Sequence, residues 1–225
     1  MNRVFPPLYA ILSAELIPSP NPNHVQEFAV MLAKSGVGII QYRDKNGTAR
    51  TLLKVASGIS AALTGTSARF IVNDRADIAC LAGAGGVHVG QDDLPVDDAR
   101  AISQKSNPES KSGSPKNFWV GVSTHTLEQV RAAAATSANY IAVGPIFATT
   151  TKQNHEAIVG TDFIRQARQL TTKPLVAIGG ITLATAEEVF RAGAGCIAVA
   201  RDLICALDPA ARAAEYLAIA RKVRK

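Results

Sequence analysis

Three short polar runs in this sequence bring charged and amide side chains together. Gln41, Arg43 and Lys45 alternate in QYRDK, so on an extended chain they share one face, an amide beside two cations. Asn73 and Asp74 open NDRAD directly after the apolar FIV, and Asp92 and Asp93 end HVGQDD. Two carboxylates facing arginine and lysine suit a Mg2+ ion whose shell is completed by substrate phosphate oxygens. The same residues have plainer readings: a solvated strand end for QYRDK, and ion-paired helix caps for the aspartates. Further on, GVSTHT offers Ser123 and His125, and ATTTK offers Thr149, Thr150, Thr151 and Lys152. Hydroxyls and an ammonium in one loop are phosphate-binding chemistry. Gly179 and Gly180 in AIGGI allow close backbone approach to an anion, or simply a tight turn. His125 reads as a structural hydrogen bonder and His88, inside GVHV, as core or barrel interior. No nucleophile with a partnered base is visible.

Elements that must position these groups follow from the hydrophobic pattern. Short β-branched runs at 8–12, 37–42, 69–72, 86–89, 119–122, 139–143, 174–178 and 195–199 alternate with helical stretches. The helical stretches fall at 22–35, 48–63, 76–83, 95–105, 126–137, 161–170, 183–192 and 208–223. Strands so uniformly apolar suit a parallel sheet covered on both faces. Eight strand–helix units in 225 residues predict an α/β fold, a single (β/α)8 TIM barrel forming one domain over 1–225. An open doubly wound sheet fits less well, because no glycine follows the first strand in SAELIPSPNP. Glycines in SGVGII, GAGGVHV and AGAGCIAV are helix C-caps leading into strands. The polar stretch at about 103–117 reads as a surface insertion. Catalytic groups of such barrels follow the C-terminal ends of strands. Strand ends two to seven each carry one of the groups above, and that concurrence favours chemistry over coincidence.

Composition narrows the function classes. The apolar fraction of 47% and charged fraction of 19% are those of a globular protein with an ample core. Three cysteines, Cys80, Cys196 and Cys205, form no C-x-x-C pair, which argues against a disulfide framework or structural zinc. No signal peptide or 18-residue apolar run is present, so the expectation is a cytoplasmic protein with no membrane association. The net charge of +6 favours anionic partners. Aromatics at 5%, with no recognition motif, point away from nucleic acid and toward small phosphorylated substrates. A homo-oligomer is compatible with all of this.

Taken in order, QYRDK, NDRADIA, GVHVGQDDLP, GVSTHT, GPIFATTTK and AIGGI resemble the thiamine phosphate synthase family over roughly residues 8–205. The resemblance implies a Mg2+-dependent transferase joining 4-amino-2-methyl-5-(diphosphooxymethyl)pyrimidine to a (carboxy)thiazole phosphate. Thiamine phosphate and diphosphate are the implied products, formed by dissociative substitution. Carried over by motif, Gln41, Arg43, Lys45, Asn73, Ser123 and Lys152 resemble the pyrimidine diphosphate site, with Arg43, Lys45, Ser123 and Lys152 in the catalytic roles. Asp74 and Asp93 match the metal ligands, and Asp92 occupies the variable position. Thr149, Thr150, Thr151, Gly180, Ala200 and Arg201 match the thiazole phosphate site. Related thiazole tautomerases share the barrel and the GGI turn but usually lack the two metal aspartates. The chain departs from the family in ILSAE after strand one, and in Ala200-Arg201 where serine is frequent. Arg201 has two readings there, a phosphate contact or an outward pair with Asp202 or another acid.

Overall fold

A computed structural model of the protein describes residues 5–17, 21–105, 118–149 and 157–223. The β-branched runs become eight parallel strands: β1 (Leu8–Ser13), β2 (Ile39–Arg43), β3 (Arg69–Asn73), β4 (Gly86–Val89), β5 (Trp119–Thr124), β6 (Tyr140–Val143), β7 (Leu175–Ile178) and β8 (Cys196–Val199). They close in sequence order, β8 pairing back to β1 with Tyr9 opposite Ala198, so no sheet edge is left open. Helices α1 (Pro22–Lys34), α2 (Ala49–Ala62), α3 (Ala76–Leu81), α4 (Val96–Lys105), α5 (Leu127–Ala135), α6 (Gly160–Leu170) and α7 (Leu183–Arg191) cross between successive strands. α8 (Arg201–Ile204) and α9 (Pro209–Val223) follow β8.

Local chemistry sets the helix starts. Thr48 accepts from the Thr51 amide, and Thr126 and Gln129 form a reciprocal capping box that also takes the His125 amide. Because side chains alternate along each strand, the barrel has two cores. Outward residues such as Leu12, Ile40, Val72, Val87 and Val199 pack under the helices. Inward residues Tyr9, Ile11, Ile39, Ile71, Tyr140, Val176 and Cys196 fill the barrel itself. At the N-terminal floor Phe5 stacks on Trp119 with ring centroids 5.2 Å apart, and the Arg69 guanidinium lies 4.1 Å over the same ring. Higher up, Gly121 is a space requirement: a Cβ there would collide with the Tyr140 ring from the adjacent strand.

The expected alternation is therefore present, with four differences. Residues 103–105, where the expected helix 95–105 and the expected insertion overlap, belong to the helix α4, and Ser103 there is buried and donates to the Arg100 carbonyl. Residues 106–117 of that expected insertion lie outside the described residues. β5 runs on to Thr124, so Ser123 belongs to the strand and faces inward rather than following it. Residues 37–38 precede β2 rather than joining it. Finally α8 is an additional short helix, secured where Asp202 accepts from Arg212 at 2.8 Å and Tyr216 at 2.6 Å.

Candidate active site

The C-terminal mouth of the barrel holds two adjoining cavities. One, of about 410 Å3, reaches down between Tyr9, His88 and Val176 and is rimmed by Arg43, Lys45, Asn73, Asp74 and Asp93. The other, of about 810 Å3, lies over β6, β7 and β8 and is lined by Pro145, Phe147, Ile158, Gly179, Gly180 and Arg201. Ile11, Arg43, His125, Ile178 and Ala198 line both, so ligands in the two spaces would touch.

On β2 the alternation works as the sequence suggests. Gln41 is buried inside the barrel, and Arg43 one step higher is half-buried at the rim, 3.4 Å from the Ser13 hydroxyl and 3.8 Å from the Glu15 carboxylate. Beyond the strand, Asp44 accepts from the amides of Asn46 and Gly47 and turns the chain. Lys45, on that turn, is ion-paired with Asp74. Asp74 itself follows β3 in a left-handed conformation, φ 62°, with its amide donating to the His88 carbonyl at 2.7 Å. From the next loop the Asp93 carboxylate accepts from the Gly90 amide at 2.7 Å and faces Asp74. Burial pushes the Asp74 carboxyl above its ordinary range, Asp93 adds to that, and Lys45 opposes it.

Two carboxylates from adjacent loops, one disfavoured as an anion by its neighbour, form an oxygen donor set that suits a hard divalent cation. No group of three or more His, Cys, Asp or Glu side chains able to hold a metal exists among the described residues. A cation at Asp74 and Asp93 would therefore draw further oxygens from a ligand. Asp92, by contrast, is exposed, whereas Asp93 is half-buried and held by the Gly90 amide.

Ser123 is where the sequence reading needs correction. Its hydroxyl lies 2.9 Å from His88 Nε2, so a serine does have a histidine partner. The two are 35 residues apart and meet only because β4 and β5 are neighbours, with His88 in register with Gly121. His88 Nδ1 in turn meets the Tyr140 hydroxyl at 3.1 Å, a neutral phenol where a hydrolytic triad has a carboxylate. His125 does read as expected: Nδ1 donates to the Gly144 carbonyl at 2.6 Å.

In the larger cavity the loops after β6 and β7 are joined by Ile146 and Phe147 amides donating to the Ile178 and Gly179 carbonyls. Gly179 and Gly180 have φ of 99° and 64°, and a Cβ on Gly180 would strike the Ala148 carbonyl. Tight packing is thus one reason for these glycines. Thr149, Ala200 and Arg201 line this cavity, and Arg201 is exposed at the start of α8. Arg201 does not pair with Asp202, whose carboxylate is taken by Arg212 and Tyr216. Thr150, Thr151 and Lys152 lie outside the described residues.

Sequence reasoning missed Tyr9, Tyr140 and Gln91. The first two look like ordinary core aromatics, and Gln91, which donates to the Ser123 carbonyl at 2.5 Å, sat unremarked inside GQDD.

A closed (β/α)8 barrel with paired carboxylates and cations at one side of its mouth, and a glycine-lined cavity at the other, has the layout of a barrel enzyme with room for two ligands in contact. Residues 8–203 match the profile of the thiamine monophosphate synthase family. The chain belongs to that family of transferases. It is 44% identical over 215 residues to a thiamine-phosphate synthase of Koribacter versatilis, covering 95% of each chain. It is 40% identical over 206 residues to that of Methanospirillum hungatei, covering 92% of this chain and 94% of the relative. Among solved structures it is similar to thiamine phosphate pyrophosphorylase from Pyrococcus furiosus, with a TM-score of 0.81, 27% identity and 97% of each chain covered. No helix among the described residues is long and apolar enough to cross a membrane.

Proposed function

We propose that this protein is a thiamine phosphate synthase acting on two small phosphorylated substrates in the cytoplasm. It joins a pyrimidine methyl diphosphate to a thiazole phosphate and releases diphosphate. The observation that carries the reading is the contact between the two cavities along Arg43 and His125, one cavity ringed by cations and carboxylates, the other largely apolar. In the reaction the methylene carbon–oxygen bond breaks, diphosphate leaves with the electron pair, and the thiazole nitrogen forms the new bond to that carbon.

Arg43 and Lys45 neutralise the charge that builds on the departing diphosphate, with Lys152 assigned the same task by its motif. Asp74 and Asp93 would hold Mg2+, which supplies positive charge against the diphosphate. Gln41, Asn73 and Ser123 are polar groups lining the pyrimidine side. The thiazole phosphate is held by the loops after β6, β7 and β8, including Gly180, Thr149 to Thr151, Ala200 and Arg201. Apolar side chains of the larger cavity, Phe147 and Ile181 among them, would limit water near the carbon under attack. Such a substitution needs no serine nucleophile, and a thiazole tautomerase would not need the two aspartates.

The test is incubation of the purified protein with both substrates, with and without Mg2+, following diphosphate release. Release that needs both substrates and the metal supports the reading. Binding of thiazole phosphate without turnover would reassign the barrel to ligand binding alone.

A further inference from the structure

Five side chains inside the barrel are linked end to end. Gln41 Nε2 donates to the Tyr9 hydroxyl at 2.8 Å, Tyr9 meets the Tyr140 hydroxyl at 3.0 Å, Tyr140 meets His88 Nδ1 at 3.1 Å, and His88 Nε2 meets Ser123 Oγ at 2.9 Å. Both ends line the smaller cavity and the middle is buried, Tyr9 and Tyr140 being 2% and 0% exposed. The middle is also built rather than incidental: the His88 and Tyr140 rings stack at 5.6 Å, and only a glycine at 121 leaves room for Tyr140.

Each link holds one proton, and that makes the chain directional. A phenol donates one proton, and burial holds both tyrosines well above their ordinary range, so each keeps it. The Gln41 amide nitrogen can only donate, so Tyr9 accepts there and keeps its one proton for Tyr140 as the nearest acceptor. In that direction Tyr140 would donate to His88 Nδ1, the imidazole proton would sit on Nε2, and His88 would donate to Ser123. From this geometry we infer that Tyr9, Tyr140 and His88 are positioning residues that fix Ser123 as a hydrogen-bond donor to the pyrimidine diphosphate. The opposite polarity would leave His88 Nε2 as an acceptor for the serine proton, the arrangement of a base with its nucleophile. The direction of the chain therefore decides what kind of group Ser123 is.

This inference rests on the proposed function for the identity of the ligand, but its first test does not. Nitrogen-15 NMR of the unliganded protein labelled at its four histidines reads the His88 tautomer directly. The expected result is a proton on Nε2 and a hydrogen-bonded, unprotonated Nδ1, with Nδ1 moving toward the shift of an unbonded pyridine-type nitrogen in Tyr140→Phe. A proton on Nδ1 in the wild type reverses the chain and overturns the assignment. In turnover, Tyr140→Phe should lower kcat/KM for the pyrimidine diphosphate about 5- to 10-fold, leaving the thiazole phosphate KM unchanged. In a Ser123→Ala background the same change should be silent, because it acts through Ser123. Losses that multiply in the double variant overturn the inference. If Tyr140→Phe folds poorly, the His88 tautomer of the wild type still decides the direction of the chain. Should the wild type not turn over the two substrates, the functional reading fails while the NMR result still decides the direction.

Discussion

The two halves of the barrel mouth solve different problems with different materials. On the side of β2 to β5 the working groups are side chains: Arg43, Lys45, Asp74, Asp93 and Ser123, each held by a neighbour before any ligand arrives. On the side of β6 to β8 the described lining is mostly apolar side chains and glycine backbone. The polar half must hold like charges close together, as Asp74 and Asp93 are, and so stores electrostatic strain. The apolar half carries its constraint in backbone geometry, at Gly179 and Gly180. Function resides in charge on one side and in shape on the other, and substitutions should separate the two.

The largest effect is expected from the carboxylates. Asp74→Asn or Asp93→Asn should lower kcat by about 100-fold or more, whereas Asp92→Asn stays near wild type. Loss in Asp92→Asn alone would move the metal site by one residue. Stability should change in the other direction for Asp74. Its carboxyl is raised in the folded state, so the native protein binds that proton more tightly than the unfolded chain does. Stability then falls as pH rises from the ordinary carboxylate range through the raised value. Metal-free Asp74→Asn should thus melt at or above the wild type at pH 7, with the gap closing below about pH 4, near the unfolded value. Lys45 loses its partner but is already half in water, which limits the penalty.

Arg43 lines both cavities and sharpens the comparison. Arg43→Gln should raise the KM of both substrates, by about 10-fold for the diphosphate, because a charge-assisted contact is lost. An effect on one substrate alone would divide the cavities more sharply than their shared wall suggests. Gly180→Ala tests the shape side: a left-handed residue with no room for Cβ should lower stability by about 1–3 kcal/mol and raise only the thiazole phosphate KM. The smallest effect belongs to Arg201→Ser, a few-fold rise in the thiazole phosphate KM, since an exposed cation is screened by solvent.

Much of this arrangement was legible in the sequence. Strand and helix periods alternate along the chain, broken by the polar stretch at about 103–117, and the C-cap glycines mark the joints, so a barrel follows from pattern and length. Asp74 and Asp93 were legible because adjacent parallel strands must place consecutive loops side by side. The interior chain was not. Tyr9 and Tyr140 are 131 residues apart, and an aromatic in a buried strand is usually core, so nothing local announces a hydroxyl bonded across the barrel. The His88–Ser123 pair depends on strand register, which sequence periodicity does not give to one residue. α8 is four residues long, too short for any period to register, and it is held by Tyr216 and Arg212 from a later helix.

The floor of the barrel has a bearing on where ligands meet. Phe5, Trp119 and Arg69 pack against one another at the end opposite the mouth, so the groups that face a ligand are gathered at one end of the barrel. Its inner chamber reaches below the rim where Gly144, Phe147 and Gly180 shape the outer one. The two chambers share Ile11, Arg43, His125, Ile178 and Ala198 as a wall, so a ligand in either one lies within reach of the other.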